Sequence, residues 1–364
     1  MFTSKTRTVI GTISGTSMDG IDIALLRTDG QTLVEAGFGA TLPYPEALRN
    51  RLLDFLQDPS RAISDPLTQL EQDVTDAFSA AIVQFMSQNR LNPQDIELIG
   101  LHGQTVYHRP ELGFTRQLGD GRRMAAQLGI TVVDQFRLAD VKAGGQGAPL
   151  VPVYHHALAS RLQQPVMILN WGGVGNVTYL DGSTILAFDT GPASALCDDW
   201  VRRHFGLPYD EGGRLSQLGQ VNRSVLARLL DNPFFATRPP KSLDRNDFHQ
   251  RARIVESLSP HDGLATLAAF TIEATCRALD HVPTPPLQWF VAGGGRHNLH
   301  FMEGLAQRLA VHVVPVESIG WDGDFLEAQC FGYLAVRSKL GLPLSLPSTT
   351  GVKVPMTGGR IWPA

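Results

Sequence analysis

Residues 170–192, NWGGVGNVTYLDGSTILAFDTGP, constrain this chain more than any other stretch: apolar strand segments alternate with glycine turns and deliver one carboxylate, Asp189. Ile185, Leu186, Ala187 and Phe188 read as a buried strand, and Thr190, Gly191 and Pro192 stop it ahead of a helical run over 193–205. An acid at a strand end serves either a ligand or the next helix. Asp189 is therefore a site carboxylate, or the N-cap that satisfies the free N–H groups of the helix behind it.

A second strand, glycine loop and strand open the chain. Residues 8–13 and 21–27 read as strands, with 31–42 as a third, around the polar turn Ser14-Gly15-Thr16-Ser17-Met18-Asp19-Gly20. Gly15 and Gly20 allow the backbone to turn sharply, and Thr16, Ser17 and the N–H groups between them offer donors to phosphate oxygens. Neither GxxxxGK[ST] nor a GxGxxG that opens a helix is present. The turn is either a phosphate loop of another kind or a plain hairpin. Asp19 and Asp22 are Mg²⁺-phosphate partners in the first case and solvent-facing acids in the second. The two units, one near residue 15 and one near Gly173, suggest two related halves facing each other across a cleft, although their sequence identity is too low to prove a duplication.

Length supports two lobes. A chain of 364 residues, 43% hydrophobic and 18% charged, exceeds the size at which a single core keeps growing. The reading assigns 1–140 with 341–364 to the first lobe and 141–340 to the second. Leu67, Leu70, Val74, Phe78, Ala81, Ile82 and Phe85 recur at helical spacing and predict an amphipathic helix over 66–89. A strand over 96–101 ends in His102-Gly103-Gln104-Thr105, where α/β proteins commonly place ligand contacts, so His102 is a site residue or a structural histidine.

From the strand at Val132 the chain passes Asp134, Arg137 and Asp140 to Gly144-Gly145-Gln146-Gly147. Such a loop is a linker between lobes or a surface that a ligand approaches closely; two acids and an arginine at one strand end favour the ligand. Arg137 either grips a carboxylate as a bidentate fork or pairs with Asp134 or Asp140. A strand over 288–292 ends in Gly293-Gly294-Gly295-Arg296-His297-Asn298, bare backbone at a helix start that suits an adenosine or a phosphate. A strand over 311–316 and a helix over 322–340 follow; Glu327 on that helix reads alone as an ordinary exposed acid. The tail, 341–364, is expected to wrap the first lobe.

Charge and cysteine content narrow the partners. A net charge of −4 without a basic stripe argues against nucleic acid and for metabolites. Cys197, Cys276 and Cys330 form no CxxC pair, so no disulfide framework or zinc knuckle is indicated and a reducing compartment is expected. The N-terminus lacks an apolar signal core, and no apolar run is long enough to span a bilayer. A cytoplasmic protein without a membrane partner is the expectation.

Taken together, Ser14–Gly20, His102–Thr105, Asp134, Arg137 and Asp140 with Ala143-Gly-Gly-Gln-Gly-Ala-Pro149, Phe188-Asp-Thr-Gly-Pro192 and Gly293–Asn298 resemble the anhydro-N-acetylmuramic acid kinases, in order and over nearly the full length. The resemblance implies an α/β chain with a two-lobed actin-like ATPase (ribonuclease H-like) fold and a nucleotide cleft between the lobes. It implies ATP and Mg²⁺, a small-molecule sugar substrate and, by the habit of the family, a homodimer. Asp189 would deprotonate the water that opens the 1,6-anhydro ring, with Glu327 as its orienting partner. Gly15, Thr16, Ser17, Met18, Asp19, Gly20, Ile21 and Asp22, with Gly173, would surround the phosphates, Asp19 reaching the metal through water. Gly293, Gly294 and Gly295 would hold adenosine. His102, Gln104, Thr105, Asp134, Arg137, Gly145 and Gln146 would hold the sugar, Arg137 taking the lactyl carboxylate. Ala193-Ser194 stands where the family usually has Gly-Asn, and Lys142 where a small residue is common. Two other readings are a kinase or ATPase of the same superfamily acting on an ordinary hydroxyl, with Asp189 on hydrated Mg²⁺, and a non-catalytic nucleotide-gated binding protein.

Overall fold

The computed structural model describes residues 5–15, 18–243 and 248–364. Its strands, in chain order, are β1 (Arg7–Ser14), β2 (Ile21–Thr28), β3 (Val34–Leu42), β4 (Leu98–Arg109), β5 (Phe114–Leu118), β6 (Val132–Asp134), β7 (Val166–Trp171), β8 (Val174–Asp181), β9 (Thr184–Pro192), β10 (Gln288–Ala292), β11 (His312–Pro315) and β12 (Arg360–Trp362). Two compact units result: Met1–Ser160 with Phe325–Ala364, and Arg161–Asp324.

In the first unit β1 runs antiparallel to β2 and parallel to β4, in a sheet ordered β12-β6-β4-β1-β2-β3 with β5 folded back on β4. The centre of β1 is buried on both faces, as its near-continuous apolar run requires. One face meets the helix Thr68–Gln88, whose Leu70, Val74, Phe78, Ile82 and Phe85 join Ile10, Ile23, Ile99 and Leu101 in one core. This is the amphipathic helix expected over 66–89. The other face meets the helix Leu326–Leu340 at backbone distance. A Cβ on Gly11 would overlap the Ala328 carbonyl oxygen, and one on Gly100 the Phe331 carbonyl oxygen. Glycines in the two central strands thus seat this helix directly on the sheet.

That seating corrects the expected boundary. Residues 141–160 and the helix Leu326–Leu340 belong to the first unit, where the sequence reading put them in the second. Hydrophobic periodicity finds a helix but not the sheet it covers. The tail does join the first unit, through antiparallel pairing of β12 with β6.

The second unit repeats the pattern. Its sheet is ordered β11-β10-β7-β8-β9, with β7 antiparallel to β8, β8 antiparallel to β9, and β10 parallel to both β7 and β11. Substituting β1 for β7, β2 for β8, β3 for β9, β4 for β10 and β6 for β11 reproduces the order and directions of the first sheet. This is the ribonuclease H-like arrangement, present once per unit, as the two-lobed actin-like class requires. The second core is aromatic: Trp171, Tyr179, Phe188, Phe235, Phe248, Phe270, Trp289 and Phe301 are all buried. The buried Trp171 indole N–H donates to Thr275 Oγ1 at 3.0 Å on the helix Pro260–Cys276.

Candidate active site

Asp189 lies inside β9, so the N-cap reading fails. The helix that follows, Ser194–Phe205, begins at Ala193 without a side-chain cap. Its first N–H groups go instead to the glycine turn between β7 and β8: Ala193 donates to the Gly173 carbonyl and Ser194 to that of Gly172, both at 3.0 Å. In the β8–β9 ladder Asn176 opposes Asp189 and Gly175 opposes Gly191, which leaves Thr190 as an extra residue, a β-bulge next to the carboxylate. Bulges re-aim neighbouring side chains, and this one falls beside the acid singled out by sequence.

Two bonds fix Asp189. Its N–H donates to the Lys241 carbonyl at 2.9 Å, and the Leu243 N–H donates to Oδ2 at 2.7 Å. Oδ1 accepts no hydrogen bond among the described residues. Burial raises this carboxyl to about 7; the Leu243 N–H and the Lys241 ammonium pull the other way and lose. A carboxylate poised near neutrality is suited to take a proton from water. Lys241 was not singled out from sequence, since it sits in a loop after two prolines without periodicity or motif.

The first unit gathers a second group. His102 is buried, its ring 4.3 Å from that of Phe331. Its Nε2 accepts from Arg137 Nε at 2.9 Å; guanidinium nitrogens only donate, so the proton is on Nδ1, which faces the Gly103 carbonyl at 3.0 Å. Burial, then the Arg137 charge, lower the His102 pKa well below the usual range and keep the ring neutral. Arg137 also donates through Nη1 to the Gly147 carbonyl at 2.8 Å. Two of its three nitrogens are committed, which leaves Nη2 rather than a free fork for a carboxylate. The expected alternative, an ion pair with Asp134 or Asp140, is not among the described pairs. Glu327, at the start of the helix Leu326–Leu340, keeps exposed surface, and desolvation by the protein atoms crowded around its carboxyl raises it; Arg137 opposes the shift and Asp22 adds to it. Glu327 shares a unit with Arg137 and Asp22, whose charges it feels, and Asp189 belongs to the other.

Asp134 stands apart from that group. Its Oδ2 accepts from Gly121 N and Trp362 Nε1, both at 3.0 Å, and burial raises its carboxyl to about 6. It lines a cavity with Glu71, Asp120, Lys142, Arg360 and Trp362, not with His102. Asp140 holds the glycine-rich loop. Its Oδ1 accepts the Gly147 N–H at 2.6 Å, and its Oδ2 accepts the hydroxyls of Ser345 and Thr350. A Cβ on Gly145 would collide with the same carboxylate, and Gln146 N–H donates to the Thr350 carbonyl at 2.7 Å. The loop is therefore a braced part of the first unit and not a linker between lobes.

Of the N-terminal loop, Thr16 and Ser17 lie outside the described residues. Met18 has φ 55° with its side chain wholly buried, and Ile21 is buried as the first residue of β2, so only their backbone is available to a phosphate. Asp19 is exposed, 4.0 Å from the Arg49 guanidinium. Asp22 Oδ1 accepts the Thr41 hydroxyl at 2.6 Å. The Cβ missing at Gly20 would press on Thr41 and Leu42. Gln104 is buried and braces the loop from behind, donating to the Gly15 carbonyl at 3.2 Å and accepting from the Tyr44 hydroxyl at 3.2 Å. Thr105 Oγ1 accepts from Gln117 on the neighbouring strand at 3.3 Å.

At the end of β10, a Cβ on Gly293 would strike Asn170 and Trp171, and one on Gly295 would strike Trp171. Gly294 is different: nothing lies within 4 Å of where its Cβ would be. Arg296 holds this loop in shape, buried and paired with Glu317 at 2.8 Å and Asp324 at 2.7 Å while donating to the Gly293 carbonyl at 3.1 Å. The outward face at Gly294 is backbone alone.

Comparison with known proteins adds a family. The family model described as anhydro-N-acetylmuramic acid kinase matches residues 7–364. A protein of Rhodospirillum rubrum with that name is 48% identical over 358 residues, 98% of this chain and 94% of its own length. One from Rhodopseudomonas palustris is 48% identical over 363 residues, 97% of this chain and 98% of its own. Among solved structures, the activator of 2-hydroxyisocaproyl-CoA dehydratase from Clostridium difficile with bound ADPNP aligns at TM-score 0.44 and 11% identity, over 92% of this chain and 96% of that one.

Proposed function

We propose how the two residue groups work in this chain, which belongs to the anhydro-N-acetylmuramic acid kinase family. It is a phosphotransferase that uses ATP to convert 1,6-anhydro-N-acetylmuramic acid and water into N-acetylmuramic acid 6-phosphate and ADP, a step of peptidoglycan recycling. The observation that carries the site assignment is Asp189: one oxygen is held by the Leu243 N–H, the other has no described partner, and the carboxyl is raised to about 7.

Asp189 takes a proton from the water that attacks C1. In the bicyclic sugar O6 is tied to C1 on the β face, so that water must come from the α side. O6 then leaves carbon for the γ-phosphorus, as the leaving oxygen of an inverting glycosidase leaves for a proton. Arg137 offers Nη2 to the lactyl carboxylate, with His102 fixing its plane. Glu327, in the unit of Arg137 and Asp22, is the orienting partner of Asp189 in this reading. The N-terminal loop and the Gly172-Gly173 turn serve the phosphates, and the Gly294 face serves adenosine.

Mg²⁺ belongs to the same reading. The described residues hold no cluster of three potential ligands. Two carboxylates at the loop, Asp19 and Asp22, fit an ion bound mainly through nucleotide phosphates and water, where it would offset phosphate charge. No described helix is long and apolar enough to cross a membrane. A cytoplasmic homodimer completes the proposal, and sedimentation checks the dimer.

Isotope labelling and anomer analysis test the chemistry. With H₂¹⁸O, the label is expected at C1 and not in phosphate, and the first-formed product is the α anomer. No label at C1, or ATP turnover on the open sugar as fast as on the anhydro sugar, would replace this reading with a kinase acting on an ordinary hydroxyl, and label in phosphate would replace it with ATP hydrolysis.

A further inference from the structure

The strand that carries Asp189 does not hold it alone. Residues 241–243 run beside the carboxylate: the Lys241 carbonyl accepts the Asp189 N–H, and the Leu243 N–H returns a bond to Oδ2. Ser242 is exposed, and Leu243 is half-buried against the edge of the aromatic core. The Lys241 side chain anchors the segment. Only 7% exposed, it donates from Nζ to the Phe234 carbonyl at 3.0 Å and approaches the Phe235 carbonyl at 3.4 Å and His281 Nε2 at 3.1 Å. The Phe234 ring centroid lies 4.5 Å from the ammonium. Both carbonyls belong to the short helix Pro233–Ala236 beneath the segment, so the ammonium is pinned to backbone.

We propose that Lys241 is a positioning residue for Asp189: its buried ammonium pegs segment 241–243 against β9 so that the segment can hold the Asp189 backbone and one carboxylate oxygen. The proposal rests on the reading of Asp189 as the general base. Lys241 touches no substrate in it and acts through Asp189 alone.

The charges around the peg give this role a distinctive signature. Asp189 faces the ammonium from β9, and Asp280, His281 and Arg277 face it from the turn Arg277–His281. Burial lowers Lys241 to about 8; Asp189 and Asp280 resist the shift and Arg277 adds to it. His281 is itself lowered, by burial and then by Lys241. Asp189 works as a base only when ionised, and the peg holds only when protonated. The pH profile of kcat is therefore a bell with an acid limb from Asp189 and a basic limb from Lys241.

Steady-state kinetics of the full-length protein against pH test this, with Lys241→Met, Lys241→Arg, Asp189→Asn and the double variant Lys241→Met/Asp189→Asn. Lys241→Met is expected to lower kcat by about ten- to a hundredfold, the scale of a small misplacement of a catalytic group, with KM for ATP unchanged. Its acid limb should move to higher pH, because the cation that favoured ionised Asp189 is gone. Lys241→Arg should recover most of kcat and lose the basic limb, since a guanidinium does not titrate there. In the Asp189→Asn background Lys241→Met should add no further loss. Unmoved pH limbs in both Lys241 variants, or a full additional loss in the double variant, would overturn the proposal. If Lys241→Met does not fold, the basic limb of Lys241→Arg decides alone: its persistence overturns the proposal. Wild-type turnover in Asp189→Asn is a different outcome, which removes the general-base reading and with it the role of the peg.

Discussion

At the scale of single residues, Asp189 sets function against stability. Its folded pKa of about 7 lies above the value of about 3.9 for an unfolded aspartate, so between these the folded state binds more protons than the unfolded one. Stability from this group is therefore greatest below the unfolded value and declines as pH rises toward 7. Asp189→Asn removes the ionisation. It should lower kcat by about 10²–10⁴ while the Tm at pH 8 stays at or above wild type, with a smaller difference at pH 5. A fall in Tm matching the fall in activity would make Asp189 a structural acid. Arg137 gives the complementary case. Arg137→Ala removes the donor offered to the sugar carboxylate and should cost about 1.5–3 kcal/mol, read as a raised KM for the muramic sugar with KM for ATP little changed. An unchanged sugar KM would leave Arg137 only its bonds to His102 and the Gly147 carbonyl. Sequence could name Asp189, His102 and Arg137 because each follows an apolar run and stands beside glycines or other polar residues, although Asp189 lies inside β9 and His102 inside β4 rather than at strand ends. It could not pair them correctly: the His102–Arg137 bond joins residues 35 apart, and Lys241 reaches Asp189 from a loop with no pattern to mark it.

At the scale of elements, glycines in similar-looking patterns do different work, and substitution separates them. Gly11 carries the weight of the helix Leu326–Leu340 on the sheet. A methyl group there meets the backbone of Ala328 and Gly332 and cannot be relieved by a rotamer change. Gly11→Ala is expected to destabilise the first unit by about 1–3 kcal/mol or more, measured by thermal unfolding. Gly294 faces open space, and Gly294→Ala should leave Tm unchanged. If that face carries adenosine, KM for ATP rises without loss of fold; unaltered nucleotide affinity would move the adenosine site elsewhere. Both glycines were visible in sequence, but only the turn at 293–295 drew a function there. Gly11 looked like an ordinary member of a short apolar strand, because which helix presses on a strand is set by topology and not by local pattern. The loop at 144–147 shows the converse: its composition suits a linker, yet Asp140 and the distant Thr350 bind it into one unit.

At the scale of the whole molecule, the two halves guessed from a pair of glycine turns share one strand order and one set of strand directions, though their sequences do not reveal it. Strand pairing depends on periodicity, turn placement and burial, which many sequences satisfy, so topology persists where identity has gone. The halves differ in how the chain builds them. Arg161–Asp324 is continuous and contains all five strands of its sheet with their aromatic core. The other unit closes only when the chain returns at Phe325 to lay its helix on β1, β2 and β4 and to add β12 beside β6. A fragment of residues 161–324 should therefore fold alone, with dispersed amide resonances and one cooperative thermal transition. A fragment of residues 1–160 should not, because the glycine-lined face of its sheet, shaped to receive a helix backbone, would be left in water with nothing complementary to cover it. Adding residues 325–364 as a separate peptide should restore its structure, with far-UV circular dichroism rising by more than the sum of the two parts. A folded 1–160 fragment, or one indifferent to the peptide, would mean that the helix Leu326–Leu340 rests on a sheet already stable without it.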